Sequence, residues 1–313
     1  HYSLLTGKTW ALFSALLKTH MWGLQIFSLI RNEETKKGWK LLSTPLAFSI
    51  ILLAAPLTMM FLLSFWTQDY LVLDKTFTLN NYIEAFTQPV YQLLFSRSLY
   101  ISLTVTFFTV LLAYPMAYFI SFYGGNRKAL WLFLITIPFW TSYLLRMFLW
   151  KVILGYNGVL NSFLLWLEMI SEPLTFILYN SNAVIIALTH GWAPFAILPI
   201  FVSLEKIDRS LLEASRDLGD GPFKQFFRVI LPLSMPGVVG AALIIFIPTV
   251  GDYITPKLVG GTDGLMIANM IQVQFSKANN APLAAALSVS SLIIVAFISI
   301  VFVLINKKHL RRY

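Results

Sequence analysis

No charged residue occurs between Leu41 and Gln68. A run that apolar has no place on a soluble surface, and it exceeds the roughly 20 residues a helix needs to cross the hydrocarbon of a bilayer. Comparable runs recur within Ser98–Asn126, from about Ala129 to Trp150, within Leu174–Leu204, from Val229 to Val250 and within Ala278–Asn306. Six spans are predicted. Strand-period alternation, the mark of a membrane barrel, is missing. The expected fold is therefore all-α and polytopic. Charged residues make up 12% of the 313, half of the roughly 25% found in soluble domains. The chain has no cysteine, which excludes a disulfide framework, a thiolate metal site and a thiol nucleophile.

Prolines mark irregularities in these spans. Pro45 and Pro56 predict a kink in the first, and Pro138 interrupts the third, which carries Arg146 near its far end. His190, Pro194 and Pro199 lie in the fourth, and Pro232, Pro236 and Pro248 in the fifth. A short amphipathic piece, Val159–Ile170, belongs outside the bilayer or on its surface. Gly251, Gly260, Gly261 and Gly264 lead into a second short apolar stretch, Leu265–Phe275.

Residues 1–40 read differently from the rest. Trp10–Ile30 is largely apolar but holds Lys18 and His20 near its centre. Ser14, Lys18, Gln25 and Asn32 fall at spacings of four and seven, a polar stripe on a helix. The expectation is an amphipathic helix in the membrane interface, followed by a basic collar of Arg31, Lys36, Lys37 and Lys40. The alternative, a seventh span, buries Lys18 in hydrocarbon. No cleavable signal peptide is apparent, and the chain's opening on His1 leaves its true start open.

The net charge of +9 invites a nucleic-acid partner, but its distribution assigns it to membrane topology. With the N-terminus inside, the segments on that side (1–40, 124–129, 205–228, 306–313) hold 17 of the 23 lysines and arginines and half of the acids. The positive-inside rule therefore puts both termini and the 205–228 segment in the cytoplasm.

That segment contains a polar island, Glu213–Pro232, between two apolar runs. Gly219, Gly221 and Pro222 break it in the middle, because proline is tolerated at a helix start and disfavoured deeper in. Two short helices are predicted, Arg209–Leu218 and Pro222–Val229, meeting at a sharp turn. Phe223, Phe226 and Phe227 load the second with apolar area suited to a partner's groove; the alternative is packing on the chain's own spans. Gly219 permits the fold-back, and Ala214 and Ser215 keep the docking face flat.

The island resembles the EAA loop of ABC-importer permeases. The family pattern is E-A-A, three residues, G, nine residues, I-x-L-P. Here Glu213-Ala214-Ser215, Gly219 and Val229-Ile230-Leu231-Pro232 keep that spacing, with Ser215 and Val229 as conservative departures. Further segments are similar to the permease subunits of spermidine/putrescine ABC importers: Pro138–Ser142 with Arg146, Gly158–Asn161 through Leu167, Leu211–Ala214, and Ile247–Tyr253 with Gly260-Gly261. Together they cover nearly everything after residue 40.

The resemblance implies a type I importer permease fold, residues 41–313, with a coupling loop at about 205–232 comprising Glu213, Ala214, Ser215, Gly219, Phe223, Phe226, Leu231 and Pro232. It also implies a second homologous permease, two cytoplasmic ATPase subunits holding ATP and Mg, an extracytoplasmic polyamine-binding protein, and residence in the bacterial inner membrane. No G-x-x-x-x-G-K-[ST] loop exists in this chain, so it cannot cradle nucleotide phosphates that way, and no cofactor is expected in it. Catalysis is not expected either: His190 is isolated, and the four histidines are too scattered for a metal site.

Ionisable groups near hydrocarbon are functional candidates. Asp252 beside Tyr253, with the patch Trp140, Thr141 and Tyr143, offers an ammonium ligand both charge and aromatic faces. A rim carboxylate paired with Lys257 or Arg146 is the alternative for Asp252, and snorkelling to headgroups is the alternative for Arg146. The same machinery could carry iron, thiamine or sulfate instead. An ion-coupled secondary transporter would show an inverted repeat, which is not evident.

Overall fold

The computed structural model describes residues 33–69 and 72–310. The interfacial helix expected over 1–40 lies, up to residue 32, outside the described residues. The chain divides into two compact units, His1–Met60 and Phe61–Tyr313. Helix α1 (Glu33–Leu63) is a single element carrying Pro45 and Pro56 inside it. It begins before the apolar run does, so Lys37 and Lys40 are helical residues of the first span's own helix.

An antiparallel hairpin follows, β1 (Thr67–Asp69) on β2 (Val72–Asp74), with Thr67 opposite Asp74. Among the described residues this hairpin is the one exception to an otherwise helical fold. Strands of three residues are too short to show a period. The hairpin's base is set by α2 (Asn80–Thr87): the buried Asn81 amide donates to the carbonyls of Ser64 (3.0 Å) and Trp66 (2.7 Å).

Helix α3 (Pro89–Tyr123) is the second span, with proline at its first position. The third is not one straight helix. After a 3₁₀ turn, α4 (Lys128–Thr136) gives way to a second 3₁₀ segment, Ile137–Trp140, and α5 (Tyr143–Ile153) leaves at 87°. Pro138 cannot donate to the helical ladder and crowds the preceding turn. Thr141, extended at φ −89° and ψ 150°, then redirects the chain.

The remaining helices are α6 (Val159–Trp166), α7 (Ser181–Glu205), α8 (Arg209–Asp217), α9 (Pro222–Gln225), α10 (Leu231–Val250), α11 (Ile254–Val259), α12 (Ile267–Ser276) and α13 (Ala281–Leu310). A π-helical turn, Phe226–Ile230, joins α9 to α10. The fifth span is therefore helical from Pro222 to Val250 rather than starting at Val229. Among the described residues, five helices are long and apolar enough to cross a membrane, or six when the bent pair counts as one span.

The core lies where α3, α7 and α10 meet. Ile101 and Val105 of α3, Leu188, Ile197 and Ile200 of α7, Ile245 of α10 and Met147 of α5 are fully buried there. Gly237 lets α10 approach α7: a Cβ on it would sit 2.5 Å from the Pro199 carbonyl oxygen and from the Ser203 Cβ. Its N–H donates to Ser203 Oγ at 3.3 Å. A second cluster joins Tyr91, Leu94 and Phe95 to Ile267, Leu283 and Leu287.

Candidate functional site

The Glu213–Pro232 island forms an elbow. Asp208 caps its first arm, α8, by accepting the Ser210 N–H at 3.0 Å. That bond holds the Asp208 carboxyl below its usual range. The arm ends in a Schellman motif. The Gly219 N–H donates to Arg216 O (2.8 Å) and the Asp220 N–H to Ser215 O (3.1 Å). Gly219 closes the motif at φ +81°, a left-handed conformation that costs a residue with a Cβ about 1–2 kcal/mol. Pro222 then starts the second arm at a first-turn position.

Two side chains staple the arms together. The buried Gln225 amide donates to Leu212 O across the turn at 2.6 Å, and Ser215 Oγ donates to Asp220 Oδ2 at 3.0 Å. Asp220 also receives Lys224 at 3.0 Å and Arg228 at 3.4 Å. The Lys224 bond, then the Ser215 bond, hold its carboxyl below the ordinary aspartate range.

Where the second arm enters the fifth span, the Leu231 N–H reaches back five residues to Phe226 O. Pro232 has no N–H to give Arg228, so the ladder widens there by one residue.

This geometry divides the predicted loop residues into two groups. Glu213, Ala214, Gly219 and Phe223 face outward, Phe223 at 85% exposure, and Phe227 joins them. Leu218 at the elbow tip, absent from the sequence expectation, is 82% exposed. Ser215 does not belong to a flat outer face; it is 5% exposed and spends its hydroxyl on Asp220. Phe226 is also turned inward. Its ring meets Tyr114 edge-on at 5.5 Å and Tyr118 at 6.3 Å, so it packs on the chain's own second span. Leu231 likewise packs on the core, and Pro232 is half-buried. The Asp220–Lys224 staple was readable as an i, i+4 pair. Nothing local announces Gln225, whose partner lies on the other arm.

The second predicted group centres on Tyr143 and Asp252, which the fold brings together. Tyr143 stands at the start of α5 because the 87° bend puts it there. Its hydroxyl donates to Asp252 Oδ2 at 2.6 Å and lies 2.8 Å from Thr255 Oγ1. Asp252 Oδ1 accepts the N–H groups of Ile254 (2.9 Å) and Thr255 (3.4 Å), which begins α11. Asp252 has no ion pair with Lys257 or Arg146. Arg146 is 8% exposed and stacks on Phe139, 4.5 Å from guanidinium to ring centre, rather than reaching outward. Trp140 meets Phe133 edge-on, and Thr141 bonds the Pro138 carbonyl; neither bonds to the Tyr143–Asp252 pair.

Tyr253 and Gly251 line a cavity of about 790 Å³ between α10, α12 and α13, with Gln272, Ser276, Ser288 and Ser291 as polar lining. Asp252 is buried beside it and does not line it. His190 accepts from Trp150 Nε1 at 3.3 Å in a separate, mainly apolar cavity of about 610 Å³.

Comparison with known proteins adds to this geometry. Residues 41–312 match the family described as the binding-protein-dependent transport system inner membrane component. The chain belongs to this family. It is a multi-pass protein of the bacterial inner membrane. Among curated relatives, it is 38% identical over 250 residues to the spermidine/putrescine transport system permease protein PotB of Escherichia coli (strain K12), covering 78% of this chain and 90% of that one. In structure it resembles a chain of a bacterial ABC transporter involved in import of the acidic polysaccharide alginate, with a TM-score of 0.67 at 14% identity, over 91% of this chain and 99% of that one. A second structure of the alginate transporter, in complex with an alginate pentasaccharide-bound periplasmic protein, aligns with a TM-score of 0.64 at 17% identity over 90% and 98%. At those identities the likeness is one of fold.

Proposed function

We propose that this chain is a permease subunit of a bacterial ABC importer for polyamines of the putrescine and spermidine class. The observation that carries the reading is the 38% identity to a spermidine/putrescine permease over 90% of that protein's length. The chain would pair with a second homologous permease. Two ATPase subunits holding ATP and Mg would dock from the cytoplasm on the Glu213–Pro232 elbow, and an extracytoplasmic binding protein would deliver the solute. The charge distribution supports cytoplasmic termini. The outward faces of Leu218, Phe223 and Phe227 support docking, since a cluster of large exposed apolar side chains at one elbow marks an interaction surface.

ATP-driven closure of the ATPase pair would rock the spans through the elbow. Polyamine would pass near the Tyr143–Asp252 pair and Tyr253, with the carboxylate as the attracting charge.

The test is uptake of labelled putrescine and spermidine in cells lacking this chain, complemented with wild type, Asp252→Asn or an elbow variant at Glu213 and Gly219. Restoration by wild type alone supports the cargo class and both sites. Normal uptake with Asp252→Asn removes Asp252 from the pathway. No uptake with wild type and its partners present overturns the polyamine assignment.

A further inference from the structure

The two arms of the elbow are joined to the spans by different means. The second arm is continuous helix into the fifth span, Pro222 to Val250. The first arm, α8, follows α7 through a short connector, is stapled to the second arm by Gln225 and Ser215, and meets the second and third spans around Glu205, the last residue of α7.

Glu205 gathers the ends of three helices, the last turn of α3, the start of α4 and the start of α8. Lys128, the first residue of α4, donates to both of its oxygens, at 2.7 and 2.9 Å. Ser121, in the last turn of α3, donates to Oε1 at 2.6 Å. Arg209, the first residue of α8, lies 3.8 Å away. Arg209 closes the knot from the other side: its Nη2 donates to Ser121 O at 3.1 Å, and its guanidinium lies 4.1 Å from the Phe122 ring centre. Both carboxylate oxygens are engaged.

A single exposed ion pair contributes little to stability. The arrangement is therefore better explained by what it connects than by what it stabilises. At this knot α8 meets the end of the second span and the start of the third, a route separate from the Phe226 packing of the second arm on Tyr114 and Tyr118.

We infer that Glu205, through Lys128, Ser121 and Arg209, is a positioning residue that transmits displacement of the elbow's first arm to the second and third spans. The inference rests on the importer reading above, because it needs an ATPase pushing on the elbow. Severing the knot uncouples: the ATPase still binds and hydrolyses, but less solute moves per ATP.

The experiment uses the complete complex in proteoliposomes, with labelled spermidine uptake and ATP hydrolysis measured together for Glu205→Gln, Lys128→Gln, the double variant and Lys128→Arg. Assembly is checked by co-purification. Each glutamine variant is expected to assemble and to lower uptake per ATP by at least about five-fold, the lower range of a coupling between sites. The double variant should be no worse than the worse single, because both break one unit. Lys128→Arg, which keeps the charge, should stay near wild type.

Uptake per ATP at the wild-type value in Lys128→Gln, or additive losses in the double variant, would overturn the inference. Lys128 is partly exposed, so this arm stands even where Glu205→Gln does not fold. A wild-type complex without ATP-linked uptake would bring down the importer reading and the knot with it. A coupled wild type with indifferent variants brings down the knot alone.

Discussion

The elbow contains two glycines two residues apart, and the structure assigns them opposite sensitivities. Gly219 sits at φ +81°, and an added Cβ there meets nothing within 4 Å. Gly221 also has open space around it but sits at φ −70°, where any residue is comfortable. The whole cost of Gly219→Ala is therefore conformational, about 1–2 kcal/mol, a factor of roughly 5–30 in the population of the closed elbow. Gly221→Ala should be neutral or slightly stabilising, because it restricts only the unfolded chain. Gly219→Asn should fall between wild type and alanine, since asparagine tolerates the left-handed region.

The local readout is hydrogen exchange at the Gly219 and Asp220 amides, whose bonds to Arg216 O and Ser215 O define the turn. Their protection should fall by about that factor in Gly219→Ala, with ATPase co-purification weakened in parallel and global melting unchanged. Unchanged protection in Gly219→Ala, or equal damage from Gly221→Ala, would refute the reasoning.

Other substitutions separate outer from inner residues. Phe223→Ala should leave melting unchanged and weaken ATPase co-purification, whereas Phe226→Ala should lower stability by about 1–3 kcal/mol through lost packing on Tyr114 and Tyr118; a thermal scan of detergent-solubilised protein compares them. Gly237→Ala pushes a Cβ against the Pro199 backbone and should cost about 1–3 kcal/mol, read in the same scan. Because the folded Asp220 carboxyl lies below its unfolded value, its contribution is complete above the ordinary aspartate range near pH 4 and is lost as pH falls through the depressed folded value. Proteolysis of the elbow should therefore accelerate in that acid window, and Asp220→Asn should remove the dependence.

Much of the fold was legible in one dimension because hydrocarbon enforces local rules. A span must satisfy its backbone within itself and must be apolar along its length, so the six segments stood out in the sequence. The elbow was legible for a related reason. Gly219, Gly221 and Pro222 act through their own backbone preferences, which need no distant partner.

What remained hidden depended on how the chain turns and on which side chains that turning brings together. Pro138 announced an interruption, but the 87° turn came from the extended residues after it. Ser215 and Phe226 read as docking residues by motif position, and packing against Asp220 and the second span turned them inward. Chemistry groups Tyr143 and Asp252 in one candidate pathway, but only the bend of the third span and the start of α11 set them 2.6 Å apart. The Glu205 knot drew no attention at all, since Ser121, Lys128 and Arg209 converge on it from three helix ends. Sequence alone determined the elements and the motif, because backbone and solvent transfer energies act residue by residue. Tertiary structure decided which side chains meet, because contact depends on how whole helices cross.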